Sequence, residues 1–440
     1  MPKKKTSTVF VCQECGYESL KYLGKCPECG NWNTLKEFKE SALSTKETAS
    51  GKERPVIQTI SDVVTRKIDR LSTGFNELDT VLGGGIVQDE LILLSGDPGI
   101  GKSTLLLQAA MNIAKSERVL YVTAEESAEQ VSLRAKRLAP GTTPQIQLVS
   151  HSDTDQIVDL MLSEKPSLVI IDSIQTMESA SLEGLAGSVG QVRYATQKFL
   201  EVAKRSHIAI ILVGHVTKEG MVAGPMVLSH MVDAVLFLEG EKFTSTRIIR
   251  SFKNRFGPVD EVGVFLMQES GMQEVSHPEL LFMTKREKEV PGSILSMIME
   301  GTRPFLVEVQ ALTVRSYLPM PRRVCAGFDQ KRLELLLAVL QKHCNVNFSQ
   351  QDVFVNIAGG LKVQEPAMDL AVCLALVGSL KNVPSSSMIA IGEIGLLGEV
   401  RSVGMLEKRI KEAKKLGFSK IVTPETARSV SSALSQLETV

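Results

Sequence analysis

The sequence has no surplus of charge: fifty lysines and arginines meet fifty aspartates and glutamates. That balance excludes a surface coated in basic residues, so contact with a polyanion has to come from local patches or from channels built by assembly. No apolar run reaches the length a bilayer crossing needs, and the basic start Met1-Pro2-Lys3-Lys4-Lys5 has no apolar stretch behind it. A cytoplasmic protein without a membrane partner is expected. A disulfide framework is missing too. Of seven cysteines, Cys325, Cys344 and Cys373 stand singly and read as buried thiols, while four crowd the start of the chain in the manner of a metal site. Repeats of solenoid length are absent. What remains is an ordinary globular balance, 43% apolar and 23% charged, over 440 residues, more than one core usually serves. Two or three domains are expected.

Cys12-x2-Cys15 and Cys26-x2-Cys29 form two knuckles, each followed by a glycine, Gly16 and Gly30. Four thiolates so spaced suit tetrahedral Zn²⁺, and a glycine there allows the tight turn that faces N–H groups toward sulfur. Residues 1–35 are therefore expected to form a zinc ribbon, with Tyr17, Tyr22 and Trp32 exposed or packed around it. Residues 36–56 carry few large apolar side chains and read as a linker.

From 57 to 275 apolar runs alternate with helical patterns: Leu91–Leu94, Val119–Val122, Ile146–Val149, Leu168–Ile171, Ile208–Val213, Val235–Leu238, Ile248–Ile249 and Val262–Met267. Continuous apolar strands separated by helices predict an α/β domain with a mainly parallel sheet covered on both faces, extended by antiparallel strands at its end. A charged linker, 276–290, precedes fresh patterns over 291–440: a strand at Phe305–Val309 and helices at Leu333–Leu340, Leu370–Val377 and Lys408–Lys415.

Gly96-Asp97-Pro98-Gly99-Ile100-Gly101-Lys102-Ser103-Thr104 meets the Gly-x4-Gly-Lys-Ser pattern between a strand, Glu90–Ser95, and a helix, Thr104–Ala114. Its glycines let successive N–H groups surround phosphate oxygens at a helix start; Lys102 would hold the β- and γ-phosphates of ATP and Ser103 would ligate Mg²⁺. Leu168–Ile171 ends in Asp172, a carboxylate placed for the water shell of the same ion. Glu125 or Glu126, just after Val119–Thr123, would activate the attacking water, Glu125 being preferred; a solvated pair at a helix start is the alternative. His215 follows the next strand, where it would sense the γ-phosphate.

With these residues in order, the middle domain resembles the RecA-like ATPase core, and the whole chain resembles the RadA (Sms) family of bacterial DNA-repair proteins. The most specific part of the likeness is Lys253-Asn254-Arg255-Phe256-Gly257. The resemblance implies a hexameric, DNA-dependent ATPase that promotes branch migration of recombination intermediates and acts with the RecA recombinase on single-stranded and branched DNA. Lys253 and Arg255 alternate at a strand end and are expected to reach a neighbouring subunit's γ-phosphate, as a finger in trans; a solvated basic turn is the alternative. Ser179–Arg193 and Glu219–His230 occupy the places of DNA-binding loops, with Lys218 and Arg193 as candidate contacts.

Residues from about 290 onward resemble the Lon protease domain through Gln364-Glu365-Pro366-Ala367-Met368-Asp369-Leu370-Ala371 and the segment from Gly392 to Val400. Ala367 stands at the nucleophilic serine position and Arg409, next to Lys408, at the lysine position. Without a hydroxyl and with a permanently protonated arginine the dyad chemistry is absent, which leaves a scaffold for assembly. Two basic groups, Arg401/Lys408/Arg409/Lys411/Lys414/Lys415/Lys420 and Arg315/Arg322/Arg323, are candidate duplex contacts or solvated faces. Two other readings stay open at this point: a nucleotide-switched adaptor or loader without translocation of its own, and an ATP-dependent protease.

Overall fold

The computed structural model describes residues 8–12, 18–19, 21–27, 30, 32–39, 69–141, 145–182, 184–215, 228–240, 245–275, 290–360, 362–384 and 387–438. Near the start, β1 (Thr8–Cys12) pairs antiparallel with β2 (Glu18–Ser19) and with β3 (Leu35–Lys39). Cys12 and Cys26 are fully buried and pack with Leu35, Phe10 and Leu23. Gly30, at φ 73°, donates its N–H to the Cys26 carbonyl at 2.9 Å, the tight turn expected of a knuckle. Cys15, Cys29, Gly16 and Tyr17 lie outside the described residues. Tyr22 and Trp32 are exposed, and Lys25 Nζ lies 5.7 Å from the Trp32 ring centre.

The chain divides into two compact units, the first running from its start to Glu274 and the second from Val275 apart from short excursions. In the first, a ribbon of β4 (Arg70–Leu71) and β5 (Ile86–Val87) brackets α1 (Asn76–Leu82). There follow β6 (Leu91–Gly96), α2 (Lys102–Ile113), β7 (Val119–Thr123), α3 (Ala128–Leu138), β8 (Ile146–Ser150), α4 (Thr154–Glu164), β9 (Leu168–Asp172), α5 (Val189–Ser206), β10 (Ala209–Val213), β11 (Ala234–Glu239), β12 (Thr246–Asn254), β13 (Val262–Gln268) and β14 (Gly271–Glu274). Their sheet has the order β14-β13-β12-β11-β6-β10-β9-β7-β8. From β11 to β8 every pairing is parallel, whereas β12 runs antiparallel to β11 and β14 to β13.

The central parallel strands β6, β7, β9 and β10 are buried at every position because both faces are covered, whereas the edge strand β8 exposes Gln147 and Ser150. Ile92 and Leu94 face a core shared with Val81, Leu105 and Val131 from α1, α2 and α3. Their neighbours Leu91 and Leu93 face Ile157, Met161, Val192 and Phe199 from α4 and α5. The period of two therefore divides each strand between two cores, and the loops that follow the parallel strands gather at one sheet end, the usual ligand edge of such folds.

One local expectation changes. The stretch Ser179–Arg193 is not one loop: Val189–Arg193 is the first part of α5. Gln191, 1% exposed, closes the remainder, accepting the Ser179 N–H at 2.9 Å and donating to the Ser179 and Leu182 carbonyls. Leu185 at the tip is exposed. Of Glu219–His230, residues 219–227 lie outside the described residues, as does Lys218.

The second unit holds β15 (Ser293–Glu300), β16 (Arg303–Arg315), β17 (Arg323–Ala326), α6 (Gln330–Cys344), β18 (Gln351–Ile357), α7 (Asp369–Lys381), β19 (Ile389–Ala390), β20 (Glu393–Ile394), β21 (Val400–Arg401), α8 (Leu406–Lys415), β22 (Ile421–Val422) and α9 (Val430–Glu438). Six strands form one sheet, β17-β18-β16-β15-β19-β22, and β20 pairs with β21. Helix α7 is buried on every side from Asp369 to Gly378, as its unbroken apolar run demands. Among the single cysteines Cys373 is buried, while Cys325 and Cys344 are half-buried. The second expected basic group is partly consumed locally, since Arg323 donates to the Gln351 and Phe348 carbonyls.

Candidate active site at the phosphate loop

Strand β6 delivers its last residue, Gly96, against the end of β11. Gly96 has φ 153°, and a Cβ there would stand 2.3 Å from the Leu238 carbonyl oxygen. At Gly101, φ 113°, a Cβ would meet the movable tips of Met272 and Met267 in place of backbone, and it is the left-handed angle that calls for glycine there. Glycine is required at both places because the backbone turns left-handed. Asp97, Pro98 and Gly99 are exposed, whereas Ile100 is buried, so the loop presents one side and anchors the other. Helix α2 begins at Lys102, two residues earlier than the apolar pattern indicated.

Lys102 is 3% exposed and donates from Nζ to the carbonyls of Gly96 at 2.8 Å and Asp97 at 3.0 Å. Burial pulls its pKa down, and the carboxylates of Asp172, Asp97 and Glu125 oppose that pull. The loop, its lysine and two carboxylates from neighbouring strand ends therefore share one electrostatic neighbourhood. Ser103 and Thr104 follow in the first turn of α2, half-buried.

Asp172 ends β9 and is 7% exposed. The Tyr121 hydroxyl on β7 donates to its Oδ2 at 2.6 Å, and burial beside that carboxylate holds the phenol pKa well above its ordinary value. The two glutamates after β7 part company. Glu126 is bound by Arg134 of α3, and its N–H bonds the Thr123 hydroxyl. Glu125 accepts a short hydrogen bond from Ser173 and lies 3.5 Å from His215 Nε2. Hydrogen bonding to His215 is the largest influence on Glu125; with Ser173 and the charge of Lys102 it holds the carboxyl below its ordinary pKa against the opposing effect of burial.

Three buried polar atoms here have no hydrogen-bond partner among the described residues: Ser95 Oγ, Gln175 Oε1 and His215 Nδ1. Gln175 Nε2 meanwhile holds the His215 carbonyl at 3.3 Å. A cradle of left-handed glycines, a buried ammonium and unsatisfied donors and acceptors at one strand edge fit a triphosphate with its Mg²⁺. Tyr121, Ser173 and Gln175 escaped the sequence reading because an apolar strand with one tyrosine and a polar residue after an aspartate have no distinctive spacing.

Lys253 and Arg255 lie elsewhere. Lys253 pairs with Val235 of β11, which pairs with Leu93, three positions before Gly96 and about 10 Å back along the strand. Its Nζ donates to the carbonyls of Ser229 and Val232, both at 2.7 Å, and burial with the charge of Arg255 lowers its pKa. Arg255 is exposed and meets Asp233 at 3.2 Å. Asp233 is itself buried and also receives Lys204 Nζ at 2.8 Å and the Leu91 N–H at 3.1 Å. Both cations thus sit at the sheet end opposite their own phosphate loop.

In the second unit, Ala367 is fully buried beside Leu295, Met297 and Leu306. Arg409 is 1% exposed, which removes it from the basic face proposed for its helix; it donates to the carbonyls of Met297 and Gly404 and pairs with Glu365.

A family model of an AAA domain matches residues 58–221, one of a rubredoxin metal binding domain residues 10–37, and one of subunit ChlI of Mg-chelatase residues 329–427. The chain is 45% identical over 425 residues to DNA repair protein RadA of Aquifex aeolicus, covering 96% of this chain and 94% of that one. It is 44% identical over 426 residues to DNA repair protein RadA of Bacillus subtilis, covering 96% and 93%. Among solved structures, the RadB recombinase is matched over 47% of this chain and 100% of that one, at 24% identity and a TM-score of 0.38. No described helix is long and apolar enough to cross a membrane. With a zinc ribbon, a RecA-like P-loop core and a Lon-like C-terminal region in that order, the chain belongs to the RadA family of DNA-repair proteins.

Proposed function

We propose that this chain hydrolyses ATP in a DNA-dependent cycle that moves strands of recombination intermediates, by branch migration or strand extension together with a RecA recombinase. The observation that carries the hydrolytic half is the separation of the two glutamates. Glu126 is closed by Arg134, whereas Glu125 stays ionised beside Ser173, His215 and Lys102, ready to take a proton from water. Lys102 and the N–H groups of Gly96–Thr104 would hold the phosphates, and Ser103 and Asp172 would hold Mg²⁺, which when bound neutralises charge on the phosphate oxygens. His215, tied to Gln175 and followed directly by residues 216–227, is suited to pass the state of the site to a DNA-binding loop.

Lys253 and Arg255 carry the other half. Their place at the far sheet end supports action on a neighbour's phosphate, hence a homo-oligomer, which we read as a hexameric ring. We assign Zn²⁺ to Cys12, Cys15, Cys26 and Cys29, with domain limits of 1–35, 57–275 and 291–440 separated by linkers 36–56 and 276–290. The last domain is read as a scaffold without proteolytic activity, since Ala367 offers no nucleophile and Arg409 is a paired cation.

The test is ATP turnover of the full chain with and without single-stranded DNA, alongside Lys102→Ala and Lys253→Ala, with strand exchange followed on forked and three-stranded DNA with and without RecA. DNA should raise turnover, Lys102→Ala should abolish it, and Lys253→Ala should impair it while nucleotide binding persists. Equal turnover in all three chains sinks the assignment; turnover without strand movement returns the protein to the adaptor class.

A further inference from the structure

We infer that Arg247 is a positioning residue of the phosphate loop: its guanidinium clamps the Ile100–Gly101 peptide so that the Gly101 N–H faces bound phosphate. This deepens the nucleotide-site reading and rests on it. Arg247 belongs to β12, an antiparallel strand outside the loop motif, and is only 8% exposed. Its Nε donates to the Ile100 carbonyl at 3.0 Å and its Nη1 to the Thr246 carbonyl at 2.8 Å. Space for the side chain is kept by Gly240 at the end of β11, where a Cβ would stand 2.7 Å from Arg247 Cδ.

The reasoning starts from peptide geometry. In a planar trans peptide the carbonyl of one residue and the N–H of the next point in opposite directions. Holding the Ile100 oxygen against β12 therefore turns the Gly101 N–H away from β12, to the side where a loop of this pattern gathers phosphate oxygens. That peptide turns on the ψ of Ile100 and the φ of Gly101, and Gly101, at φ 113°, has no Cβ to fix its angle. The hydrogen bond from Arg247 to the Ile100 carbonyl holds the peptide from outside the loop. Arginine suits the task because its rigid fork bridges two carbonyls at once; lysine can engage only one in the same geometry.

The experiment measures, in the full-length Mg²⁺-containing protein, the Kd of a fluorescent ADP analogue and the KM and kcat for ATP in wild type, Arg247→Gln, Arg247→Lys and Gly240→Ala. Arg247→Gln should raise Kd and KM about tenfold, the loss of one oriented hydrogen bond, with kcat within about twofold because the contact exists in ground and transition states alike. Arg247→Lys should recover part of that loss. Gly240→Ala should reproduce it with the guanidinium intact, by displacing Arg247 Cδ and the Thr246 carbonyl, each 2.7 Å from the added Cβ. A wild-type chain that binds no nucleotide overturns the nucleotide reading itself. Wild-type binding with unchanged Kd and KM in both Arg247→Gln and Gly240→Ala, or a fall in kcat alone, overturns the clamp and leaves that reading standing.

Discussion

The phosphate-loop site and the Ala367–Arg409 site are assembled from similar parts, a strand end, a tight turn and a buried cation, yet they differ in how far those parts satisfy one another. At the phosphate loop Lys102 donates to two backbone carbonyls of the loop itself, and Ser95, Gln175 and His215 retain buried atoms without a partner among the described residues. At the other site Arg409 donates to two carbonyls and to Glu365, Glu365 also receives the Met299 N–H at 3.0 Å, and Ala367 is sealed among aliphatic side chains. All buried polar atoms left without a partner among the described residues belong to the first unit. Leaving buried polar atoms unpartnered destabilises a fold; around Arg409 the groups satisfy one another, whereas at the phosphate loop they do not.

The comparison breaks or sharpens in five experiments. Glu125→Gln should lower kcat by roughly 10²–10⁴ with nucleotide affinity retained, the usual range for losing a general base. Glu126→Gln, which only disturbs the Arg134 pair, should change kcat by no more than about threefold. Comparable losses in the two variants would erase the distinction between them.

Arg409→Ala should destabilise the second unit by about 3–5 kcal/mol in denaturant unfolding, because Glu365 and two carbonyls lose their buried partner. Restoring the dyad letters with Ala367→Ser and Arg409→Lys should yield no peptide hydrolysis, since a lysine beside Glu365 remains an ammonium and not a base. Measurable casein cleavage by that double variant would show the site to be open after all.

Glu90 lies at the sheet end opposite the loop, fully buried, with Oε1 unpartnered and Oε2 accepting the Val87 N–H at 3.0 Å. Burial pushes its carboxyl up from 4.5 to about 7, Asp233 adding to the shift and the Val87 N–H, Arg70 and Lys204 opposing it. The folded carboxyl keeps its proton where the unfolded chain has released it, so wild-type stability falls as pH rises from 4.5 to about 7. Glu90→Gln should remove that fall, leaving the variant more stable than wild type at pH 8 by on the order of 2–3 kcal/mol and with little advantage at pH 5. Melting temperatures at the two pH values check the sign.

The smallest effect is expected from Tyr121→Phe, which deletes the hydroxyl donating to Asp172 and should lower stability by about 1 kcal/mol. A larger loss of turnover than of stability would place Tyr121 among the groups that orient Asp172 for Mg²⁺.

The sheet was largely legible. Each apolar run named from Leu91 to Met267 lies on a strand to within a residue; for the central strands the reason is burial on both faces, which demands apolar residues throughout. The phosphate loop and Asp172 were legible for a different reason: glycines at fixed intervals and a carboxylate ending an apolar strand are demanded by backbone geometry and leave a pattern in one dimension. The choice between Glu125 and Glu126 was only a preference in the sequence, since adjacent residues share every local signal. Arg134, eight residues on in α3, takes one of them, and Ser173 and His215 from two other strand ends take the other. The extent of the loop before α5 was overread because Gly and Ser mark turns without marking the glutamine, Gln191, that closes one.

Sequence alone thus determined the elements and the glycine pattern of the loop, because period, glycine placement and charge type act between near neighbours in the chain. Tertiary structure decided which residues face that loop and which are withdrawn from it. Lys253 and Arg255 were taken to the far end of the sheet by an antiparallel register, Arg409 was removed from a surface by Glu365, and Arg247 was brought from β12 to the Ile100 carbonyl. Each depends on contacts between residues far apart in the chain, which no local pattern encodes.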